Sequence, residues 1–154
     1  MKRVGLLATA MGVLVSMGLL IAGQGYADEN DRATKCALDT LKGRYLFAGT
    51  GTLLPPAFGV KEPSVSTSAG YHIFNGDGTG KDFVTFLVNG IIVPVTSPTP
   101  VTYTLNSDCT GTYTVVHGPA FDIFVSPDGE ELAVIATDPG HALAEGPNRR
   151  VAPE

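Results

Sequence analysis

Reactive side chains are few in this chain, and the most informative are carboxylates set among apolar residues. Asp82 interrupts K-D-F-V-T-F-L-V at Lys81–Val88, and Asp122 interrupts F-D-I-F-V at Phe121–Val125. A carboxylate turned toward the packed side of such a strand is desolvated, its pKa rises, and it becomes a candidate acid or base. Turned outward, it is a charge that keeps the strand in water. Alternation places Asp122 opposite Phe121 and Ile123, on the side of Phe124. The three histidines, His72, His117 and His141, show no H-x-H or H-x-x-x-H spacing. They read as surface or rim residues, with no metal site assigned. His72 lies mid-strand between Tyr71 and Ile73, facing away from both; His117 and His141 fall in turns.

Familiar catalytic and ligand-binding motifs fail on inspection. Asn75-Gly76-Asp77-Gly78-Thr79-Gly80 begins like a calcium loop, but the twelfth position, which needs glutamate, is Phe86, and the segment reads as a hairpin turn. Gly80-Lys81 is not a phosphate loop, because Asn75 and Asp82 replace a required glycine and hydroxyl residue. There is no G-x-S-x-G. No catalytic residue and no cofactor is assigned from these patterns.

The two cysteines, Cys36 and Cys109, read as one disulfide if the chain is exported, the rival being a reactive thiol. No histidine or basic cluster lies near either in sequence to lower its pKa. A bridge would close a loop of roughly 73 residues, for which the chain-entropy model gives about 4 kcal/mol.

Positioning these groups falls to strands. Val101–Val125 reads as three consecutive strands with tight turns at Asp108-Cys109-Thr110-Gly111 and His117-Gly118-Pro119. Arg44–Thr50, Tyr71–Asn75, Lys81–Val88, Ile91–Val95 and Glu130–Thr137 add further strands. Turn signals recur roughly every ten residues and no crossover helices intervene, so the expected fold is all-β, an up-and-down antiparallel barrel of about eight strands. Asn89-Gly90 is a strong type I′ hairpin signal. Ahead of the strands, Asp28–Lys42 spaces Ala33, Cys36, Ala37, Leu38 and Leu41 as a short N-terminal helix, a strap over residues 28–43 ended by Gly43. The barrel then occupies 44–140, and 141–154 is a tail or short closing strand.

Tyr71, Phe83, Tyr103, Tyr113 and Phe121 recur on successive strands, where they would either line a ligand-holding lumen or pack as an aromatic core. Thr50–Gly70, with three prolines and a serine/threonine run, is a candidate lid, unless Thr52–Leu54 and Val65–Thr67 extend the flanking strands. The Phe83–Val95 hairpin is apolar on both faces. With Phe86 taken as outward, it is a candidate homodimer surface.

Lys2 and Arg3 followed by an apolar Val4–Ala22 and a small-residue Gly25-Tyr26-Ala27 read as a signal peptide over residues 1–27, cleaved near Ala27. The competing reading is an uncleaved membrane anchor. Cleavage would leave 127 residues carrying fifteen acidic and eight basic side chains, a formal charge of −7. Such a surface disfavours nucleic acid and anionic membrane surfaces. The expected location is periplasmic or secreted, with no stable anchor after processing.

Gly43-Arg44-Tyr45-Leu46-Phe47, Gly76-Asp77-Gly78-Thr79-Gly80, Asp108-Cys109-Thr110-Gly111-Thr112-Tyr113, Asp128-Gly129 and Asp138-Pro139-Gly140 together resemble a group of small exported bacterial β-barrel proteins of unassigned function. Their implied shape is similar to lipocalin-like and allene-oxide-cyclase-like barrels. The chain has no tryptophan, so the glycine-x-tryptophan signature of true lipocalins is missing. The resemblance implies the fold; with the aromatic rows that could line a lumen, the leading expectation is an exported barrel that binds a small apolar or amphipathic molecule. Two alternatives stand beside it: a cofactor-free cyclase or isomerase acting inside the barrel, and an interaction or inhibitor module with no small-molecule activity.

Overall fold

Short side chains that bond their own backbone set the hairpins. In Asn75-Gly76-Asp77-Gly78-Thr79 the Asp77 carboxylate accepts from the Thr79 amide at 3.0 Å and hydroxyl at 2.6 Å, and the Asn75 amide donates to the same hydroxyl at 2.9 Å. Asn106-Ser107-Asp108-Cys109-Thr110 repeats the arrangement, with Asp108 accepting from Thr110 at 3.1 and 2.7 Å and Asn106 donating to Thr110 at 3.2 Å. Gly78 and Cys109 hold the same place in the two turns, with φ of +90° and +67°. Asn89 and Gly90, at φ +49° and +80°, make the type I′ turn that their sequence signals.

The computed structural model describes residues 35–152. Nine strands are present among them: β1 (Lys42–Leu53), β2 (Ser64–Asn75), β3 (Thr79–Val88), β4 (Ile91–Val93), β5 (Thr99–Leu105), β6 (Thr110–Val115), β7 (Ala120–Val125), β8 (Glu131–Ala136) and β9 (His141–Val151). Each of β1, β2, β3, β5, β6, β7, β8 and β9 pairs antiparallel with the next, and β9 returns to pair with β1. The result is a closed eight-stranded meander with β4 as an extra strand on the Phe86–Val88 end of β3. Closure leaves the eight strands no free edge. Among the described residues no helix is long and apolar enough to cross a membrane.

One end of the barrel is filled by large side chains. Leu41, Tyr45, Phe74, Tyr103, Tyr113 and Ile123 are buried together, and their rings meet edge to face: Tyr45–Phe74 at 5.5 Å and Phe74–Tyr103 at 5.0 Å between centroids. Residues 36–41 close this end. The Cys36–Cys109 disulfide anchors them. The Tyr103 hydroxyl shares its proton between the Leu38 and Leu41 carbonyls, each at 2.9 Å. Arg150 donates to the Thr40 carbonyl at 2.9 Å and to the Tyr45 hydroxyl at 3.1 Å, while that hydroxyl donates to the Gly129 carbonyl at 2.6 Å.

Several expectations need correcting. Within the described part of the expected 28–43 helix there is a single 3₁₀ turn, Leu38–Thr40, and β1 already begins at Lys42; a strap cross-linked and hydrogen-bonded along its backbone needs no helix. Residues 28–34 of that helix and the expected signal peptide at 1–27 lie outside the described residues. Most of Thr50–Gly70 belongs to β1 and β2, leaving a loop of residues 54–63 with one 3₁₀ turn at Ala57–Gly59. Of the two readings of 141–154, a tail or a short closing strand, the closing strand is the one present, and as β9 it is eleven residues long. Phe86 points inward and is buried, because the β2–β3 register opposes His72 to Asp82 and places the even-numbered residues of β3 inside. The exposed apolar residues of the hairpin are instead Ile91, Ile92 and Val95.

Candidate functional site

The other end of the barrel is lined by small residues. Inward positions that hold Tyr45 on β1 and Phe74 on β2 are succeeded toward this end by Gly49 and Gly51 on β1 and by Ser64, Ser66 and Ser68 on β2. The space left is a cavity of about 540 Å³. Its walls are Leu53, Val84, Phe86, Val115, Phe121 and Leu143, with Phe58, Val95, His117 and His141 toward the loops. Phe58 sits in left-handed backbone, φ +47°, as does His117 at +60°, a region that bulky residues rarely adopt. The Phe58 ring stacks on His141 at 5.1 Å and leans on Phe86 at the same centroid distance.

Polar groups enter this apolar space at its floor. Asp82 and Glu145 line the cavity together with Ser68, and both carboxylates are over nine-tenths buried. His72 lies behind them. Its Nδ1 is 3.0 Å from Asp82 Oδ1 and 3.3 Å from the Tyr113 hydroxyl, and its ring stacks on Phe47 with centroids 4.3 Å apart. On the other side, His72 Nε2 stands 4.0 Å from Glu145 Oε2 and has no hydrogen-bond partner among the described residues. The Ser68 hydroxyl donates to Glu145 Oε1 at 2.8 Å. Burial pushes the Glu145 carboxyl above the usual range, against the lowering effect of Ser68 and His72. Tyr113 is held protonated, chiefly by burial and then by the Asp82 charge beside it.

Local chain features place each group. His72 and Asp82 face each other across β2 and β3, equidistant from the Asn75–Thr79 turn, so the turn sets their pairing. Glu145 depends on a bulge. Between Glu145 and Arg149, β9 carries one residue more than either neighbour, and the register slips against both β1 and β8 at Gly146-Pro147-Asn148. Glu145 and Asn148, three apart, are therefore both buried where simple alternation would set them on opposite faces. Across the barrel wall, a methyl at Gly49 would lie 2.5 Å from Glu145 Cγ, so only glycine leaves that side chain its place.

The aromatic residues expected in the lumen divide by strand. Tyr103, Tyr113 and Phe121 are buried register partners on β5, β6 and β7; Phe121 lines the cavity, whereas Tyr103 and Tyr113 belong to the packed core beneath it. Tyr71 and Phe83 lie on the outer face, stacked on each other at 4.5 Å with the Arg44 guanidinium over Tyr71. A one-residue change of parity sends every side chain of a strand to the other face, and here it brings in His72 and Asp82 in place of Tyr71 and Phe83. Asp122 is exposed, so of the two candidate acids only Asp82 is inside. Buried His72 overturns its reading as a surface or rim residue, while His117 and His141 do stand at the cavity rim.

Sequence reading did not find Glu145 or Ser68. His72 was within reach, since counting outward from the Asn-Gly-Asp-Gly turn pairs it with Asp82. Glu145 had only a weak signal, the alternation of Leu143 and Glu145 with Ala142 and Ala144. Among the described residues no group of three histidine, cysteine, aspartate or glutamate side chains is placed to hold a metal ion.

Compared with protein-family models, with curated proteins and with solved structures, the chain matches none.

Proposed function

We propose that this is an exported barrel that holds a small, largely apolar molecule in its lumen. The observation that carries the reading is the cavity of about 540 Å³, with apolar walls and a few convergent polar groups at its floor, the usual make-up of small-molecule sites. Export through a cleaved segment at 1–27 is supported by the Cys36–Cys109 disulfide, since such bridges persist in oxidising compartments. The test is native mass spectrometry of the protein purified from its own host, before and after mild denaturation. A reproducible added mass that leaves on unfolding is the expected result; a bare protein in every preparation counts against a retained ligand.

A second reading, a cofactor-free isomerase or cyclase, has one observation in its favour: two carboxylates and a histidine meet at the floor of an apolar cavity, as proton transfer requires. The raised Glu145 carboxyl suits a group that alternately gives and takes a proton. It differs from the first in demanding turnover, so a ligand recovered unchanged after prolonged incubation with the protein favours binding alone.

A further inference from the structure

The floor of the cavity is unbalanced in charge and in hydrogen bonding. Two carboxylates, Asp82 and Glu145, face one imidazole, so even a protonated His72 neutralises only one of them. Among the described residues no lysine or arginine lines the cavity. His72 is almost wholly buried, yet its Nε2 has no partner among the described residues, and Glu145 Oε2 stands beyond hydrogen-bond distance at 4.0 Å. A neutral apolar guest would leave this surplus of acceptors uncompensated, and a carboxylate guest would add a third like charge. A cation that donates hydrogen bonds answers the surplus of acceptors that Asp82 and Glu145 present to the cavity.

Resting on the reading of the barrel as a ligand holder, we propose that the guest is a cationic amphiphile: an apolar body against Val84, Phe86, Val115 and Phe121, and an ammonium group against Asp82 and Glu145. The apolar body accounts for the walls, and the ammonium for the floor. Ser68, which holds one oxygen of Glu145 at 2.8 Å, and His72, which holds one oxygen of Asp82 at 3.0 Å, are positioning residues. Seating the ammonium favours the ionised form of Glu145, so its carboxyl proton leaves to solvent as the ion pair forms. The titratable groups facing Glu145 are His72, Asp82 and Tyr113 from β2, β3 and β6, with His117 and His141 at the rim. Raising pH strips the proton from Glu145, whose carboxyl burial holds above the usual range, and this favours a cation.

The experiment is isothermal titration calorimetry of the disulfide-bonded protein with octylammonium, octanol and octanoate, at about pH 8 and about pH 5. Octylammonium is expected to bind roughly tenfold or more tighter than either other probe at the higher pH, on the scale of one charge-assisted hydrogen bond, and to lose that preference at the lower. At the lower pH, where more of Glu145 carries its proton, titration in buffers of different ionisation enthalpy should show proton release with the amine only. In Glu145→Gln the preference for the amine should fall, with the far-ultraviolet circular dichroism of the parent kept as the sign that the variant is folded. If that variant does not fold, the probe ranking and proton release of the parent protein decide alone. Octanol or octanoate binding as tightly as the amine overturns the cationic assignment and leaves the ligand-holding reading standing. Absence of binding by all three overturns both.

Discussion

The two ends of the barrel are built from the same strands and behave as opposites. At the closed end, inward positions hold Tyr45, Phe74, Tyr103 and Tyr113, packed ring against ring, and residues 36–41 are tied down by a disulfide and by donors from Tyr103 and Arg150. At the cavity end β1 and β2 present glycine and serine inward, and carboxyl groups stand where apolar ones would have filled the space. Electrostatics differ in sign as well. In the closed-end turns the carboxyls of Asp77, Asp108 and Asp128 are held below the usual range, chiefly by hydrogen bonds from Thr79, Thr110 and Ser126. Burial holds that of Glu145 above it. One end therefore supplies stability, and the other gives some of it up to keep polar groups in a space a ligand can enter.

That contrast can be broken most forcefully at the closed end. Replacing both cysteines by serine frees a loop spanning 73 residues and should cost up to about 4 kcal/mol in denaturant unfolding. The 36–41 strap should lose amide-exchange protection while probe binding in the cavity, measured well below the unfolding midpoint, is retained. Loss of binding in step with protection would mean that the two ends are not separable.

A smaller effect, with a definite sign, is expected from Glu145→Gln. Because the folded-state pKa of Glu145 is raised, its stabilising contribution is full below the ordinary glutamate range and is lost as pH rises through the raised value. The variant should lose nothing over that window, so above it the variant should be the more stable by on the order of 1 kcal/mol, the scale of one buried polar group's desolvation. The depressed carboxyls of Asp77, Asp108 and Asp128 act oppositely, contributing above the ordinary aspartate range and losing that contribution as pH falls through their lowered values. Parent and variant should therefore share the same acid limb of the stability profile and part only on the alkaline side. Identical profiles at every pH would show that Glu145 is not desolvated.

The smallest expected change in stability is that of Phe58→Ala. Its ring is half exposed and held by stacking on His141 and contact with Phe86, so unfolding should shift by no more than about 1 kcal/mol. Affinity for an apolar probe should weaken more than stability does, read by calorimetry beside the melting curve. A large stability loss with unchanged affinity would move Phe58 from the cavity to the core.

Much of the architecture was legible because it is written locally. The glycine- and aspartate-rich turns at 75–79, 106–110 and 126–130 are each bonded within themselves, and the strand alternation between them follows from backbone geometry. On β5, β6 and β7 that alternation also gave the correct inward face, with Tyr103, Tyr113 and Phe121 in one row. It misled on β2 and β3, where both faces carry apolar or aromatic residues: Tyr71 and Phe83 satisfy an outward stack beside Arg44 as readily as an inward one.

An all-β meander, one disulfide and a net acidic chain follow from composition, turn chemistry and cysteine number, since each depends on residues that are neighbours or on counts alone. The candidate site does not. His72, Asp82, Ser68 and Glu145 meet only after β9 has returned to pair with β1, the bulge at Gly146-Pro147 has re-aimed Glu145 and Gly49 has left it room. Their burial, and with it the shifted Glu145 carboxyl, is a property of the closed barrel, because desolvation is set by what surrounds a group in space and by nothing adjacent to it in the chain.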